Sequence, residues 1–376
     1  MRKYRCLSCS AEYSVSDHRF KCDCGGAFEL VHDHEFAREK IDLNINSLWR
    51  YKEIIPIENE KKIVTLGEGM TPLVHVNFMG HKLYAKVEYM SPTGSFKDRG
   101  ASVLFSLMNE FGIKECVEDS SGNAGSAASA YGARAGIKCK IFCPDYTSEG
   151  KLTQVRFYGA ELNKIKGTRE DTARAVQTAA QKIYYASHNH NPFFVEGLKT
   201  IAYEIAEQFN WQMPDNVVTP LGFGGLYYGL YLGFKAMFDS GATDKIPKLL
   251  GVQSDMCCPL YEAVNNNYQL DPEYIQTGHT LAEGVCGTRP VWGEQVLKAI
   301  KESKGGITTV NEDDILKGIR VLSKQGIFVE PTSAIVVKGF EHFVENRKIL
   351  PEHTTVAIIT GFGLKSIDKY QRLIGN

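Results

Sequence analysis

One lysine in this chain is delivered by a turn to the start of a helical pattern. The segment Ser91-Pro-Thr-Gly-Ser-Phe-Lys97-Asp-Arg-Gly-Ala-Ser-Val103 has a turn at Pro92-Thr-Gly94 and then apolar positions through Leu104 and Leu107. A lysine at a helix N-terminus lies at the positive end of the helix dipole. That lowers its pKa and favours the free amine needed to attack an aldehyde. Taken alone, a lysine in a turn is most often a solvated surface charge.

Three further loops change its context, because each runs from a strand pattern into glycine. Asp119-Ser-Ser-Gly-Asn-Ala-Gly125 opens an alanine-rich helix, and such a helix start presents free backbone N–H groups to a carboxylate. Ser120, Ser121 and Asn123 add side-chain hydrogen bonds, although each serine would serve equally as an ordinary helix cap. Gly222-Phe-Gly-Gly-Leu226 has bare backbone that could cradle a phosphate or simply permit tight packing. Ile358-Ile-Thr360-Gly-Phe-Gly363 sets one hydroxyl at a strand end. Ligands of open α/β sheets gather at the carboxyl ends of strands, so these loops suggest one shared site.

A different chemistry is concentrated at the N-terminus. Cys6-Leu-Ser-Cys9 and Cys22-Asp-Cys24-Gly-Gly26 are two cysteine knuckles separated by a loop containing Tyr13 and Phe20. Together they can supply four thiolates to a tetrahedral zinc ion, with glycines that let the second knuckle turn its sulfur inward. Metal binding would contribute the folding energy that so short a unit lacks. The second knuckle has one intervening residue rather than the usual two, and a knuckle-shaped turn without metal is the competing reading. The six other cysteines are scattered through apolar sequence and read as small buried hydrophobes.

The elements that must carry these residues follow from periodicity. Strand patterns occupy 83–87, 116–118, 139–143, 217–219, 249–252 and 356–360; helical patterns occupy 124–135, 168–183, 197–208, 226–238 and 311–323. Strands alternating with helices predict an α/β architecture with mainly parallel sheets. The chain has 376 residues, 43% hydrophobic and 23% charged, enough for a large buried core. A formal net charge of -1 gives no reason to expect nucleic acid or an acidic membrane as partner. No run approaches the ~20 apolar residues of a membrane helix. The basic, polar start at 1–6 lacks the apolar run of a secretory signal, so the chain is expected to be cytoplasmic and off the membrane.

Ser-Pro-Thr-Gly-Ser-Phe-Lys-Asp-Arg-Gly, Ser-Ser-Gly-Asn-Ala-Gly and Thr-Gly-Phe-Gly-Leu-Lys resemble the threonine synthase group of fold-type II pyridoxal-phosphate enzymes. Leu66-Gly-Glu-Gly-Met-Thr-Pro-Leu73, Lys151-Leu-Thr-Gln154, Glu196-Gly-Leu-Lys-Thr200 and the cysteine unit are similar to that group too, in family order along nearly the whole chain. The resemblance implies a tryptophan synthase β-like fold of two α/β domains with parallel-rich sheets plus a zinc ribbon. Its parts would be a ribbon at 1–36, a large cofactor domain at 37–101 and 212–376, and a small domain at 102–211. It further implies pyridoxal 5'-phosphate as cofactor, with Lys97 as the catalytic Schiff-base lysine. Asn123 would meet the cofactor's 3-hydroxyl, and Gly222, Phe223, Gly224, Gly225 and Leu226 would hold its phosphate. Thr360 would meet the pyridine nitrogen. Ser120, Ser121, Gly122 and Ala124 would lie along the substrate carboxylate, with Lys151 also on the substrate. Cys6, Cys9, Cys22 and Cys24 would hold structural Zn2+. The partner implied is a small amino-acid substrate, with no nucleic acid, and the assembly a homodimer.

The resemblance implies a lyase that turns O-phosphohomoserine and water into threonine and phosphate. The sequence departs from that group where substrates are told apart. Threonine synthases usually carry an arginine at the position of Phe194, a glutamine at Leu198, asparagines at Phe223 and Leu226 and often a histidine at Phe362. Losing those donors fits either a less anionic substrate or phosphate contacts from Lys151, Arg156 or Lys199. Two alternatives therefore stand beside the first reading. One is a β-replacement or ammonia-lyase enzyme acting on serine, phosphoserine or threonine, of the cysteate synthase or threonine dehydratase type. The other is a non-catalytic binding protein that kept the fold.

Overall fold

The structure, a computed structural model, describes residues 2–147 and 149–374. It is organised as two compact units, one formed by Met1–Met70 and Ser91–Thr200, the other by Thr71–Met90 and Ile201–Asn376.

The cysteine segment forms a small antiparallel sheet of β1 (Lys3–Cys6), β2 (Glu12–Ser14) and β3 (Phe28–Val31), with β1 central. Too short to enclose a core, it buries aromatic rings instead. Tyr4 and Phe28 are fully buried and stack at 5.2 Å between centroids, and Tyr4 meets Phe193 edge-on at 6.3 Å. A hairpin follows, β4 (Leu73–Phe78) and β5 (His81–Val87), turned at Met79-Gly80. Both turn residues have positive φ, 53° and 71°, which matches the twist of the paired strands.

Helix and strand then alternate through α1 (Lys97–Glu110), β6 (Glu115–Glu118), α2 (Asn123–Ala135), β7 (Lys138–Pro144), α3 (Glu149–Phe157), β8 (Glu161–Ile165), α4 (Arg169–Ala179) and β9 (Tyr184–Tyr185). The four strands form a parallel sheet in the order β8-β7-β6-β9. Parallel neighbours need crossover connections, and the helices supply them. Leu104, Phe105 and Met108 of α1 share a core with Ala127, Ala128 and Tyr131 of α2. α4 is started by a capping box in which Thr168 and Asp171 satisfy each other's backbone.

The remaining elements are α5 (Pro192–Gln208), β10 (Asn216–Pro220), α6 (Gly225–Asp239), β11 (Lys248–Ser254), α7 (Pro259–Asn265), α8 (Gly293–Glu302), β12 (Gly306–Val310), α9 (Glu312–Ser323), α10 (Pro331–Glu345), β13 (Thr354–Ile359) and α11 (Ile367–Ile374). The larger sheet runs β12-β11-β10-β13-β5-β4, parallel throughout except for the antiparallel edge strand β4. α10 lies against it through Ile335, Val336 and Phe340, which pack with Val252, Ala357 and Ile359. The central strands are buried on both faces, as a parallel sheet covered by helices requires.

One buried charge ties β5 to α5. Lys86, wholly buried, donates from Nζ to Glu204 Oε2 at 2.8 Å, to the Thr71 carbonyl at 2.7 Å and to Gln208 Oε1 at 3.0 Å. The register of the sheet has a functional consequence. β10 and β13 are direct neighbours, pairing Val217 with Val356, so the turns that follow them leave the same edge of the sheet side by side. Among the described residues no helix is long and apolar enough to cross a membrane.

Candidate active site

Lys97 is the first residue of α1, and its position is fixed by its neighbour. Asp98 is wholly buried; its carboxylate accepts the Thr93 N–H at 2.8 Å and the Thr93 hydroxyl at 2.7 Å. With the Gly94 N–H bonded to the Ser91 carbonyl at 2.8 Å, the Ser91-to-Lys97 turn is closed at both ends. Lys97 Nζ lies 4.8 Å from the centroid of Phe96 and 5.6 Å from that of Phe194. Phe194 is 3% exposed, and its ring rests on Gly100, where a β-carbon would come within 2.3 Å of it. Gly100 is thus small to admit the aromatic ring that flanks the amine.

The second element of this unit is the end of β6. After Glu118 and Asp119 the chain turns through Ser120, Ser121 and Gly122, and Asn123 begins α2. A β-carbon on Gly125 would sit 1.8 Å from the Ser120 carbonyl oxygen, so the loop lies flat on the first helical turn. Ser120 Oγ accepts the Gly122 N–H at 3.3 Å and the Gly122 carbonyl receives the Ser126 N–H, which joins the loop to the first turn of α2. Ala124 is buried in that first turn. Lys151 lies in α3, and its side chain falls outside the described residues.

Sequence reasoning missed the two acids before this loop. Asp119 accepts the Tyr185 hydroxyl at 2.8 Å, and Glu118 pairs with Nδ1 of His188 at 2.5 Å. Burial pushes Glu118 well above the usual carboxylate range, helped by Asp119 and opposed by Lys97 and Arg169. Burial likewise drives His188 well below its ordinary value, with Lys97, Arg169 and His190 adding to it. The Lys97 charge therefore reaches this pair. The only sequence signal was the acidic Glu118-Asp119 at a strand end.

In the other unit, β10 gives way to Gly222-Phe-Gly-Gly, and Gly225 begins α6. Gly224 has φ +94°, and a β-carbon there would come within 3.0 Å of Trp292 and 2.9 Å of Val296. It needs glycine for both reasons. A β-carbon on Gly222 would meet the Gly284 carbonyl at 2.9 Å, and the Trp292 N–H bonds the Phe223 carbonyl at 3.2 Å. The turn is therefore clamped from behind while the opening amides of α6 stay available to an anion. Leu226 is buried in the same first turn. Beside it, Thr360 follows β13; its hydroxyl lies 2.8 Å from Ser333 Oγ, which also accepts the Gly361 N–H at 2.8 Å. Thr360 is 2% exposed, a neutral, oriented hydroxyl at the sheet edge that carries the glycine turn. Phe362 stacks on Tyr89 at 4.8 Å.

The knuckle cysteines come together. The candidate ligand atoms of Cys6, Cys9, Cys22 and Cys24 all lie within 4.8 Å of one another. The Cys6–Cys24 and Cys9–Cys22 sulfurs are 3.5 and 3.6 Å apart. Sulfurs at zinc bond length on a tetrahedron would be about 3.8 Å apart, so the set fits that ion. A β-carbon on Gly26 would strike Cys6 Sγ at 2.7 Å, which explains the glycine after the second knuckle.

The sequence profile of the family described as "Pyridoxal-phosphate dependent enzyme" matches residues 64–361. The threonine synthase of Methanocaldococcus jannaschii is 37% identical, covering 97% of this chain and 93% of that protein. The threonine synthase of Methanosarcina acetivorans is 35% identical, covering 97% and 92%. Among solved structures, serine racemase from Dictyostelium discoideum superposes with a TM-score of 0.63 at 27% identity, over 78% of this chain and 92% of that one. Threonine deaminase isoform 2 from Solanum lycopersicum shares the fold with a TM-score of 0.69 at 22% identity, over 92% and 91%. An amine at a clamped helix start, a glycine cradle and a neighbouring hydroxyl thus occur on a chain that belongs to the fold-type II pyridoxal-phosphate-dependent enzymes, in the threonine synthase group.

Proposed function

We propose that this threonine synthase-like lyase converts O-phosphohomoserine and water to L-threonine and phosphate. The observation that carries the reading is Lys97, held as the first residue of α1 by the Asp98–Thr93 clamp. In this reading Lys97 would hold the cofactor through its aldehyde. Gly222, Phe223, Gly224, Gly225 and Leu226 take its phosphate, Asn123 its 3-hydroxyl and Thr360 its ring nitrogen. Ser120, Ser121, Gly122 and Ala124 would receive the substrate carboxylate at the start of α2, with Lys151 also on the substrate. When bound, the cofactor supplies an electron sink for the substrate's α-carbon. The Thr360 hydroxyl is neutral, so it orients the ring without stabilising a positive nitrogen. The Lys97 amine would be the base that takes the substrate's α-proton. Cys6, Cys9, Cys22 and Cys24 hold a structural zinc ion in the same proposal, which also includes a cytoplasmic homodimer that binds no nucleic acid.

A second reading is favoured by Phe194. It is a buried ring beside Lys97 where threonine synthases usually carry a cation. A β-replacement or ammonia-lyase enzyme acting on serine, phosphoserine or threonine fits that pocket. Purified protein loaded with cofactor decides between them. Phosphate release with threonine formation from O-phosphohomoserine, abolished together with the cofactor's absorbance band in Lys97→Ala, is expected. Ammonia and keto-acid release from serine or threonine, without phosphate release, would replace the first reading with the second.

A further inference from the structure

We propose that Glu118 and His188 form a proton relay serving the Lys97 site, His188 as its outer end and Glu118 as the positioning residue behind it. The inference rests on Lys97 being the reactive amine.

The geometry is that of a two-member chain leading inward. Glu118 ends β6 and its side chain is 1% exposed, whereas the His188 side chain is 9% exposed. Nδ1 of His188 is engaged by Glu118 at 2.5 Å, so Nε2 is the end left for chemistry. Phe194 borders both the pair and the amine, with its centroid 6.1 Å from the His188 ring and 5.6 Å from Lys97 Nζ. Glu118 Oε2 is buried and has no hydrogen-bond partner among the described residues. Leaving a buried carboxyl oxygen unsatisfied costs about 1–3 kcal/mol or more, which a purely structural residue has no reason to bear.

Charge agrees with geometry. The titratable groups around the pair are Asp119 beside it, Cys116 on β6, Tyr185 on β9, Lys97 on α1, Arg169 on α4 and His190 before α5. Burial pushes both members toward their neutral forms, Glu118 upward and His188 downward. A neutral carboxylic acid facing a neutral imidazole holds one transferable proton. When Nε2–H gives its proton to a group in the site, Nδ1 takes the carboxyl proton from Glu118. The imidazole stays neutral in its other tautomer and Glu118 is left as carboxylate. A proton later accepted at Nε2 reverses the shift, so no net charge accumulates on the ring. Replacement at a substrate carbon can use this, because Lys97 holds one proton at a time while water must also lose one.

The test uses the cofactor-loaded full chain as wild type, Glu118→Gln and His188→Gln. Glutamine keeps the shape of Glu118 and can donate to Nδ1, but it cannot surrender a proton and take it back. The relay predicts that E118Q lowers kcat at least about tenfold and removes one limb of its pH profile, with KM and the cofactor band unchanged. A readout independent of turnover is the 15N spectrum of His188 in wild type. It should stay neutral between about pH 6 and pH 8, where a free imidazole would titrate. E118Q with wild-type kcat and pH profile, or His188 titrating near its ordinary value, overturns the proposal. If E118Q does not fold, H188Q carries the kinetic arm under the same criteria. If wild type shows the cofactor band but releases no phosphate from O-phosphohomoserine, the functional reading fails on its own. The relay is then judged by the His188 spectrum, which supports it if neutral and overturns it if not.

Discussion

Asp98→Asn should weaken cofactor binding although Asp98 is not proposed to touch the cofactor. In the native turn its carboxylate accepts two bonds from Thr93, at 2.8 and 2.7 Å, in a fully buried setting. Hydrogen bonds to a charged acceptor contribute about 1.5–3 kcal/mol each. Asparagine keeps one carbonyl acceptor but turns an amide NH2 toward the other donor, so the net loss should be about 2–3 kcal/mol. The clamp fixes the residue next to Lys97, so this loss is expressed as misplacement of the amine, as local unfolding, or as both. Expressed wholly in binding, it corresponds to about a 30- to 150-fold rise in the cofactor Kd. Titration of the apoenzyme followed by absorbance measures that part, and urea unfolding of the apoenzyme measures the rest. Thr93→Val removes the hydroxyl bond alone and should cost about half as much. If D98N bound cofactor within about threefold of wild type and unfolded at the same urea midpoint, the clamp would be irrelevant and the reasoning wrong.

Other perturbations follow from neighbouring features. Lys86→Met removes the buried cation that donates to Glu204 and should cost about 3–5 kcal/mol in urea unfolding, whereas the double change with Glu204→Leu should cost less than the single change. Gly224→Ala meets both a positive φ and the wall of Trp292 and Val296, so cofactor affinity should fall at least about tenfold by absorbance titration. Glu196 shows a pH dependence of definite sign. Burial would raise its pKa, but Lys199 at 2.6 Å and His32 outweigh burial and hold it down at about 2. A depressed folded pKa contributes stability that is complete above about pH 4.5 and is lost as pH falls toward about 2, at most about 3 kcal/mol. In urea unfolding at a series of acidic pH values, Glu196→Gln should remove that slope, and an unchanged slope would refute the assignment.

What could be read from sequence depended on whether the signal was local. The α9 helix was legible because Glu312, Asp313 and Asp314 give it an acidic first turn, and α2 because its alanines follow a strand and a glycine turn. Boundaries failed where the pattern continued beyond the backbone. The apolar run at 168–183 overshoots α4, which stops at Ala179, because Ile183 and its neighbours lead into β9 instead. α5 begins at Pro192 rather than at 197; a proline at a first helical position was the missed signal. Edge strands β4 and β8 escaped notice because three of six and two of five of their residues are exposed and break the apolar run. The motif residues of the candidate site stood out as types at turns, whereas the Glu118–His188 pair joins positions 70 apart in sequence. No local pattern encodes such a partner.

The absence of a β-carbon at position 100 makes it a partner in pocket design with position 194. A designer who installs a guanidinium at 194 to welcome an anion inherits a slot shaped for a flat ring, floored by bare backbone and bordered by a lysine of like charge. Retuning this enzyme toward a new side chain therefore calls for paired changes, and single-site libraries at 194 would sample mostly misfits.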